Sequence, residues 1–105
     1  MNRIANVFKI DELPIEEELT SILAETSNVR IERIISTGQV SNWYDQEEVE
    51  YVILLEGDAN IEYENSKVIA LTKGDTLLIP AHIKHRVSYT SNSPSCIWIC
   101  IFWKE

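Results

Sequence analysis

Two histidines and a glutamate are the side chains in this 105-residue chain best suited to chemistry. Glu50 lies in an apolar run, and His82 and His85 closely follow a proline. Imidazole and carboxylate groups transfer protons near neutral pH and bind divalent metals. Tyr44 and Gln46 precede Glu50 and share one face of an extended chain, two residues apart. These five positions are the candidates for a site that binds a metal or moves a proton.

The glycines of the chain frame these candidates at regular spacing. Reading from Gly38, five residues lead to Tyr44-Asp45-Gln46, three more to Glu50 and six more to Gly57. The second half reads Gly74, five residues, Pro80-Ala81-His82, two residues, His85. This spacing resembles the two motifs of the cupin family, G-x5-H-x-H-x3,4-E-x6-G and G-x5-P-x-G-x2-H-x3-N. Six of the ten fixed positions agree: Gly38, Glu50, Gly57, Gly74, Pro80 and His85. The chain departs from the motifs at Tyr44, Gln46, His82 and Tyr89.

The resemblance implies a double-stranded β-helix, the jelly-roll barrel, and a metal site within it. In the family, two first-motif histidines, the glutamate and the second-motif histidine bind one divalent ion, usually iron, manganese, nickel or zinc. Of these four ligands, only Glu50 and His85 are retained in this chain. Gln46 stands at one first-motif histidine position and is a weaker ligand than imidazole. His82, near the barrel mouth, is a possible substitute ligand. The expected ligand set is therefore Glu50, His85, Gln46 and His82. A closer likeness, to small phosphomannose-isomerase-like cupins, rests on Trp43-Tyr-Asp-Gln-Glu-Glu and on Ile79-Pro-Ala-His-Ile-Lys-His-Arg-Val.

Each candidate also has a simpler interpretation. His85 shares a predicted face with apolar residues and with Tyr89, so it could be a core histidine with satisfied hydrogen bonds. Glu50 could lie at the rim, but a carboxylate facing the interior needs a partner, which His85 or Arg33 could supply. Arg33 either extends its head to solvent or offers a fork for anions. His82 could be a solvated turn residue, and Tyr44 could simply close the barrel mouth.

Three functions are compatible with these residues. The first is binding of a small polar or anionic ligand without chemistry, with Arg33, Tyr44, Gln46 and Tyr89 as candidate contacts and with or without a metal. The second is a metal-free epimerase or isomerase, in which His85 is the general base and Tyr44 or Tyr89 the general acid. The third is a metal-dependent oxygenase or isomerase. Whether the protein is an enzyme stays open at this point, because one scaffold hosts many functions.

The elements that would position these residues are mostly strands. From Pro14 to about Thr26 the pattern of Ile15, Leu19, Ile22 and Leu23 predicts a short amphipathic helix. Beyond residue 28 the period is two, which predicts strands near 29–36, 49–56, 59–64, 67–71, 76–80, 84–90 and 96–103. The fold class is therefore mainly β, a jelly-roll barrel with a short N-terminal helix. Residues 1–28 would be an extension of a single domain whose barrel is residues 29–105.

Two of the strands are apolar on both faces. In 49–56, Glu50 shares a face with Val52 and Leu54, and the opposite face is also apolar. The strand 96–103 behaves in the same way. Because both faces of such strands must be covered, we expect a homodimer that packs sheet against sheet.

Charge and composition exclude several partners. The chain has 9 Lys and Arg against 17 Asp and Glu, a net charge of −8, which disfavours nucleic acid and anionic membrane surfaces. No apolar run is long enough to cross a bilayer, and the N-terminus lacks an apolar signal core, so the expected location is cytoplasmic. Cys96 and Cys100 are too far apart in one strand to form a disulfide with each other and are expected to be reduced and buried.

Overall fold

Most of the chain after residue 18 forms antiparallel β-strands. The structure, a computed structural model, describes residues 5–10 and 16–105. The described strands are β1 (Leu19–Glu25), β2 (Val29–Ser36), β3 (Val49–Glu56), β4 (Ala59–Tyr63), β5 (Val68–Leu71), β6 (Thr76–Ile79), β7 (His85–Thr90) and β8 (Cys96–Trp103). The prediction of a mainly-β fold is therefore confirmed, and the seven strands expected after residue 28 agree with β2 to β8 within one residue at each end.

The strands form two sheets that face each other. The larger sheet has the order β1-β2-β8-β3-β6 and the smaller one the order β5-β4-β7, with every pair antiparallel. Their facing sides supply the apolar core, in which Val52, Leu54, Ile61, Ile79 and Trp98 are almost fully buried. Each such side chain contributes about 1.5–3 kcal/mol of transfer free energy to stability. This arrangement of two antiparallel sheets is consistent with a jelly-roll barrel.

The predicted N-terminal helix is wrong over its described part. Residues 11–15 lie outside the described residues, and Leu19–Glu25 forms strand β1 at the edge of the larger sheet. Pairing runs from Leu19 with Ile35 to Glu25 with Arg30, and it is interrupted by a bulge between Ile22 and Ala24. A helix of about a dozen residues is marginal in isolation. The open edge of β2 instead satisfies the backbone hydrogen bonds of this segment, so tertiary pairing overrides the helical pattern.

Glycine occurs where the chain must turn with a positive φ. Gly38, Gly57 and Gly74 have φ values of 92°, 91° and 92°, which side chains other than glycine rarely adopt. Gly57 also lies against strand β8, because a Cβ built there would be 2.8 Å from Cys96 Sγ. Both cysteines are free and buried, as predicted.

The outer face of the larger sheet is apolar and only half buried. It carries Ile31, Ile53, Ile99 and Ile101, whose neighbours along each strand point towards the core or the cavity. The homodimer remains a prediction. In the described part of the chain, no helix is long and apolar enough to cross a membrane.

Candidate functional site

A cavity of about 250 Å³ lies between the two sheets. Its apolar lining consists of Ile34, Val52, Ile61, Ile79, Val87, Trp98, Cys100 and Phe102. Its polar lining consists of Glu18, Thr20, Arg30, Glu32, Ser41, Tyr44, Gln46, Glu50 and His85. The lining positions are two residues apart, Arg30, Glu32 and Ile34 on β2 and Glu50 and Val52 on β3, because alternate residues of a strand face the same side. A cavity with an apolar wall and convergent polar groups is the usual form of a small-molecule site.

His85 is fixed in position by both its backbone and its ring. It begins β7, pairs with Tyr63 on β4, and exchanges two backbone hydrogen bonds with Tyr44, at 2.7 and 3.0 Å. Its side chain is 4% exposed. His85 Nδ1 lies 2.8 Å from the carbonyl oxygen of Ile83. A carbonyl only accepts hydrogen bonds, so Nδ1 carries the proton and Nε2 faces the cavity.

Glu50 is the partner of His85 within the cavity. It lies on β3 between Ile79 of β6 and Phe102 of β8, and Glu50 Oε1 is 3.6 Å from His85 Nε2. Gln46 Nε2 donates a hydrogen bond of 3.1 Å to the same oxygen. Burial alone would lower the pKa of His85, but its contacts with Glu50 and the Ile83 carbonyl outweigh that effect and raise the pKa above 6.5. The imidazolium form of His85 is therefore favoured more than in an isolated histidine.

Tyr44 lies at the cavity next to His85. The two ring centroids are 5.9 Å apart and the ring planes are tilted by 41°. The pKa of the Tyr44 hydroxyl is raised by burial, and further by the negative charges of Glu18 and Glu50. The hydroxyl therefore stays protonated near neutral pH and can donate a proton or a hydrogen bond. The structure thus brings together His85, Glu50, Gln46 and Tyr44 from the candidates identified in the sequence.

Two further carboxylates in the cavity were not identified from the sequence. Glu32 lies on β2, and Glu18 lies just before β1, where its Oε2 is 3.2 Å from Ser36 Oγ. The pKa of the Glu18 carboxyl is raised by burial and by the charges of Glu32 and Glu50. Glu18 was not identified as a cavity residue because its segment was predicted to be helical. Glu32 was missed because the alternate positions of β2, which include Ile31 and Ile35, suggested the opposite face as the interior.

Arg30 is the one arginine or lysine that lines the cavity among the described residues, and three of its five N–H donors are used. Its Nη1 and Nη2 atoms donate to the two carboxylate oxygens of Glu48, at 2.8 and 3.0 Å. Its Nε donates to Glu32 Oε2 at 2.8 Å, and the guanidinium lies 4.3 Å above the Phe102 ring. Such a fork-on-fork pair is geometrically specific. Arg30 therefore closes one end of the cavity as a fixed structural group.

Three sequence candidates, His82, Arg33 and Tyr89, lie away from the cavity. His82 is on the turn after Pro80, its side chain is 65% exposed, and its Nδ1 is 3.0 Å from Asp45 Oδ1. Arg33 points to the opposite face of β2, where its Nη1 donates to the carbonyl oxygens of Lys9 and Val7 at 2.8 and 3.4 Å. The expectations that His82 joins Glu50 and His85, and that Arg33 contacts the ligand, are corrected by these positions.

Tyr89 is displaced by a bulge in β7. Tyr89 pairs with Asn60 and Val87 pairs with Ile61, so Ser88 is an extra residue between two consecutive pairs. A bulge of one residue reverses the faces of the residues beyond it. Tyr89 therefore points outwards and is 48% exposed, whereas Thr90 is buried. The expectation that Tyr89 shares the inner face with His85 is corrected for this reason.

The donor groups present do not form the metal site that the motifs imply. Glu50 and His85 are two strong ligands, but Gln46 offers a neutral amide that already donates to Glu50. The raised pKa of Tyr44 disfavours a phenolate ligand. Within residues 5–10 and 16–105, no group of three or more His, Cys, Asp or Glu side chains is arranged to hold a metal ion. The polar wall therefore fits a hydrogen-bonding ligand better than a coordinated metal.

Comparison with known proteins decides the family. The model of the cupin domain matches residues 33–102, which include every motif position from Gly38 to His85. The chain belongs to the cupin family. No significant match is found among curated proteins.

Several solved structures are similar to this cupin over most of its length. A protein from Ralstonia eutropha JMP134, provisionally named a mannose-6-phosphate isomerase, is 32% identical, covers 99% of this chain and 100% of its own, and has a TM-score of 0.93. A cupin superfamily protein from Desulfitobacterium hafniense DCB-2 is 21% identical over 90% of this chain and 84% of its own, with a TM-score of 0.78. KdgF from Halomonas sp. is 18% identical over 87% and 83% of the two chains, with a TM-score of 0.74. The last two similarities show the fold alone.

Proposed function

We propose that this cupin binds a small polar molecule in the cavity between its sheets, without a metal. The observation that carries the proposal is the pair of His85 Nε2 and Glu50 Oε1, which face each other across 3.6 Å in a cavity of about 250 Å³. This separation is too long for a hydrogen bond, so the two atoms retain capacity for a ligand. Gln46 and Tyr44 extend the polar wall on the same side.

The opposite wall limits the kind of molecule that fits. Val52, Ile61, Ile79 and Trp98 present apolar surface to the cavity. The volume is at or below the lower end of the usual range of ligand sites, roughly 300 Å³, which suits a molecule of monosaccharide size or smaller. A sugar ring has a hydroxylated edge and a C–H face, and these match the two walls. The name of the Ralstonia relative, a mannose-6-phosphate isomerase, is consistent with a sugar-like ligand.

Matched tyrosine and histidine variants test the binding proposal. Thermal-shift and calorimetric titration against a panel of monosaccharides should identify a ligand that stabilises the wild type. Tyr44→Phe and His85→Gln should weaken this binding about tenfold each, as expected when a hydrogen-bond partner of the ligand is lost. Tyr89→Phe and His82→Gln change the same residue types outside the cavity and should leave the affinity unchanged. Equal effects of the inner and outer variants would refute the site.

A second candidate function is isomerisation by proton transfer. His85 and Tyr44 line one cavity with ring centroids 5.9 Å apart, so a base and an acid could address the same small molecule. Neutral His85 would remove a proton from the carbon next to a carbonyl, and Tyr44 would donate a proton to the carbonyl oxygen, which gives an enediol. Protonated His85 would then deliver its proton to the former carbonyl carbon, and the Tyr44 phenolate would take the hydroxyl proton of the neighbouring carbon, where the new carbonyl forms. Both residues regain their initial states, so atoms and charge balance.

Deuterium exchange separates catalysis from binding alone. Aldoses and ketoses incubated with the protein in D₂O should acquire deuterium at the carbon next to the carbonyl if His85 acts as a base. His85→Gln should abolish this exchange, and His82→Gln should retain it. Binding without any exchange leaves the binding proposal in place and eliminates the isomerase.

Elemental analysis tests the claim that no metal is needed. Protein purified without chelator or nickel resin should contain far less than one divalent ion per chain, and binding should be unaffected by added chelator. Iron, manganese, nickel or zinc at near-stoichiometric content, lost in His85→Gln, would overturn the metal-free proposal.

A further inference from the structure

The polar wall of the cavity consists largely of hydrogen-bond acceptors. Glu18, Glu32 and Glu50 each direct a carboxylate to the cavity lining. The proton on His85 Nδ1 is used by the carbonyl of Ile83, so in the neutral ring Nε2 adds another acceptor. Each carboxylate accepts a side-chain hydrogen bond, from Ser36, Arg30 or Gln46, and keeps further lone pairs for a ligand. A ligand that enters this cavity must therefore bring donors.

The carboxylates of the cavity also raise the pKa values of neighbouring side chains. Burial raises the pKa of Tyr44, and the charges of Glu18 and Glu50 raise it further. The pKa values of Tyr63 and of the Cys100 thiol are likewise raised by burial first and then by Glu50. Of these three groups, Tyr44 and Cys100 line the cavity itself.

Two groups in the described lining can carry a positive charge, Arg30 and His85, and each already lies beside a carboxylate. Arg30 donates three of its five N–H groups to Glu48 and Glu32. Arg33 lies on the opposite face of the sheet and donates to backbone carbonyls. A phosphate group in the cavity would lose its hydration and meet three carboxylates, of which Arg30 pairs only with Glu32.

We infer that the cavity selects a small hydroxylated amine, such as an amino sugar, over a neutral sugar and disfavours a sugar phosphate. This inference rests on the proposed function and names the ligand class of the same site. An ammonium group supplies three donors and a positive charge in a compact form. Placed beside Glu18 and Glu50, whose carboxylates no arginine or lysine of the described lining pairs, it would form charge-assisted hydrogen bonds. The hydroxyl groups would use Gln46 and Tyr44.

Titration with three matched probes tests this selection. Near neutral pH, calorimetric titration compares hexosamine, hexose and hexose 6-phosphate in both the gluco and the manno series. The hexosamine should bind roughly tenfold more tightly than the hexose, the usual gain from a charge-assisted contact. The hexose 6-phosphate should bind more weakly than the hexose. A phosphate ester that binds as tightly as the hexosamine, or more tightly, would overturn the inference.

A charge-removing variant links the selection to the carboxylates. Glu18→Gln keeps the size of the side chain and removes one negative charge, so the preference for the hexosamine should fall several-fold. Glu56→Gln removes a charge outside the cavity, where Glu56 pairs with Lys73 at 3.5 Å, and should leave the preference unchanged. An undiminished preference in Glu18→Gln would contradict the role of this carboxylate.

Failure of the inference and failure of the proposed function are distinguishable in the same titration. If a hexose binds but the hexosamine gains nothing, only the charge selection is wrong. If none of the probes binds at millimolar concentration, the sugar-like ligand is wrong and the inference fails with it.

Discussion

His85 and Glu50 face each other through Nε2 and Oε1 at 3.6 Å, while Nδ1 of the same ring is held by the carbonyl oxygen of Ile83 at 2.8 Å. Because the carbonyl fixes the proton on Nδ1, a neutral His85 would direct a lone pair at the carboxylate. A second proton on Nε2 turns this repulsion into attraction. The raised pKa of His85 follows from these two contacts, which outweigh the opposing effect of burial.

The first prediction concerns the dependence of stability on pH. A group whose pKa is higher in the folded than in the unfolded protein stabilises the fold most at low pH, below its unfolded value of about 6.5. That contribution is lost as the pH rises through the folded pKa. The free energy of unfolding should therefore fall between about pH 6 and the folded pKa of His85, as measured by urea denaturation at each pH.

The histidine variants isolate this effect. His85→Gln should remove the decline above pH 6, whereas His82→Gln should keep it, because the imidazole of His82 is largely exposed. The same decline in both variants would show that another group titrates in this range.

The second prediction is that a cavity carboxylate lowers stability. The pKa of Glu18 is raised above 4.5 by burial and by neighbouring carboxylates, so the folded protein disfavours the ionised form. Glu18→Gln should therefore raise the melting temperature near neutral pH, while Glu56→Gln, which loses a surface ion pair, should change it little. The advantage of Glu18→Gln should shrink as the pH falls through the folded pKa of Glu18 and should be lost below the unfolded value of about 4.5. A melting temperature lowered by Glu18→Gln would contradict this account.

Much of the strand pattern could be predicted because buried strands leave a strong signal. β3 and β8 are apolar on both faces and lie between other strands, so their β-branched and aromatic composition marks them as buried strands. β1 has no such signal, since most of its residues are exposed and only one edge is paired. Its strand conformation depends on the open edge of β2, a tertiary property that local sequence does not encode.

The candidate site could be predicted where a motif fixed the register, and not elsewhere. Glu50, Gln46 and His85 reach the cavity because turns at Gly57 and Gly74 set the spacing of their strands. Period alone could not reveal which face of β2 lines the cavity, because both faces carry isoleucines and charged residues. Nor could it reveal the bulge at Ser88 that turns Tyr89 outwards, since nothing in the local sequence marks it.

The third prediction compares two glycines with nearly the same φ. A Cβ at Gly57 would lie 2.8 Å from Cys96 Sγ and 2.9 Å from Cys96 Cα, so Gly57→Ala adds a clash with backbone to the cost of a positive φ. Gly74 has no heavy atom within 4 Å of such a Cβ. Gly57→Ala should cost about 3 kcal/mol and Gly74→Ala about 1 kcal/mol in unfolding free energy. Chemical denaturation measures both, and equal losses would contradict the close approach to β8.

The fourth prediction concerns self-association through the outer face of the larger sheet. Ile101 lies on the central strand of that face, paired with Ile31 and Tyr51. If two copies cover this surface, sedimentation at micromolar concentration should show a dimer, and Ile101→Lys should dissociate it. Val68→Lys, at an exposed position on the smaller sheet, is the control and should not change the sedimentation. A wild type that sediments only as a monomer would refute the dimer.

The fifth prediction uses the position where this chain departs from the second cupin motif. His82 occupies the position of the motif glycine and has a φ of 62°, in the left-handed region. At ordinary positions alanine is more stable than glycine, because glycine loses more backbone entropy on folding. At residue 82 the order should reverse, with His82→Gly about 1 kcal/mol more stable than His82→Ala. At the exposed Lys84, whose φ is not positive, Lys84→Ala should instead be the more stable of the same two substitutions. Thermal denaturation of the four variants measures both differences, and the usual order at residue 82 would show that the turn relaxes to another conformation.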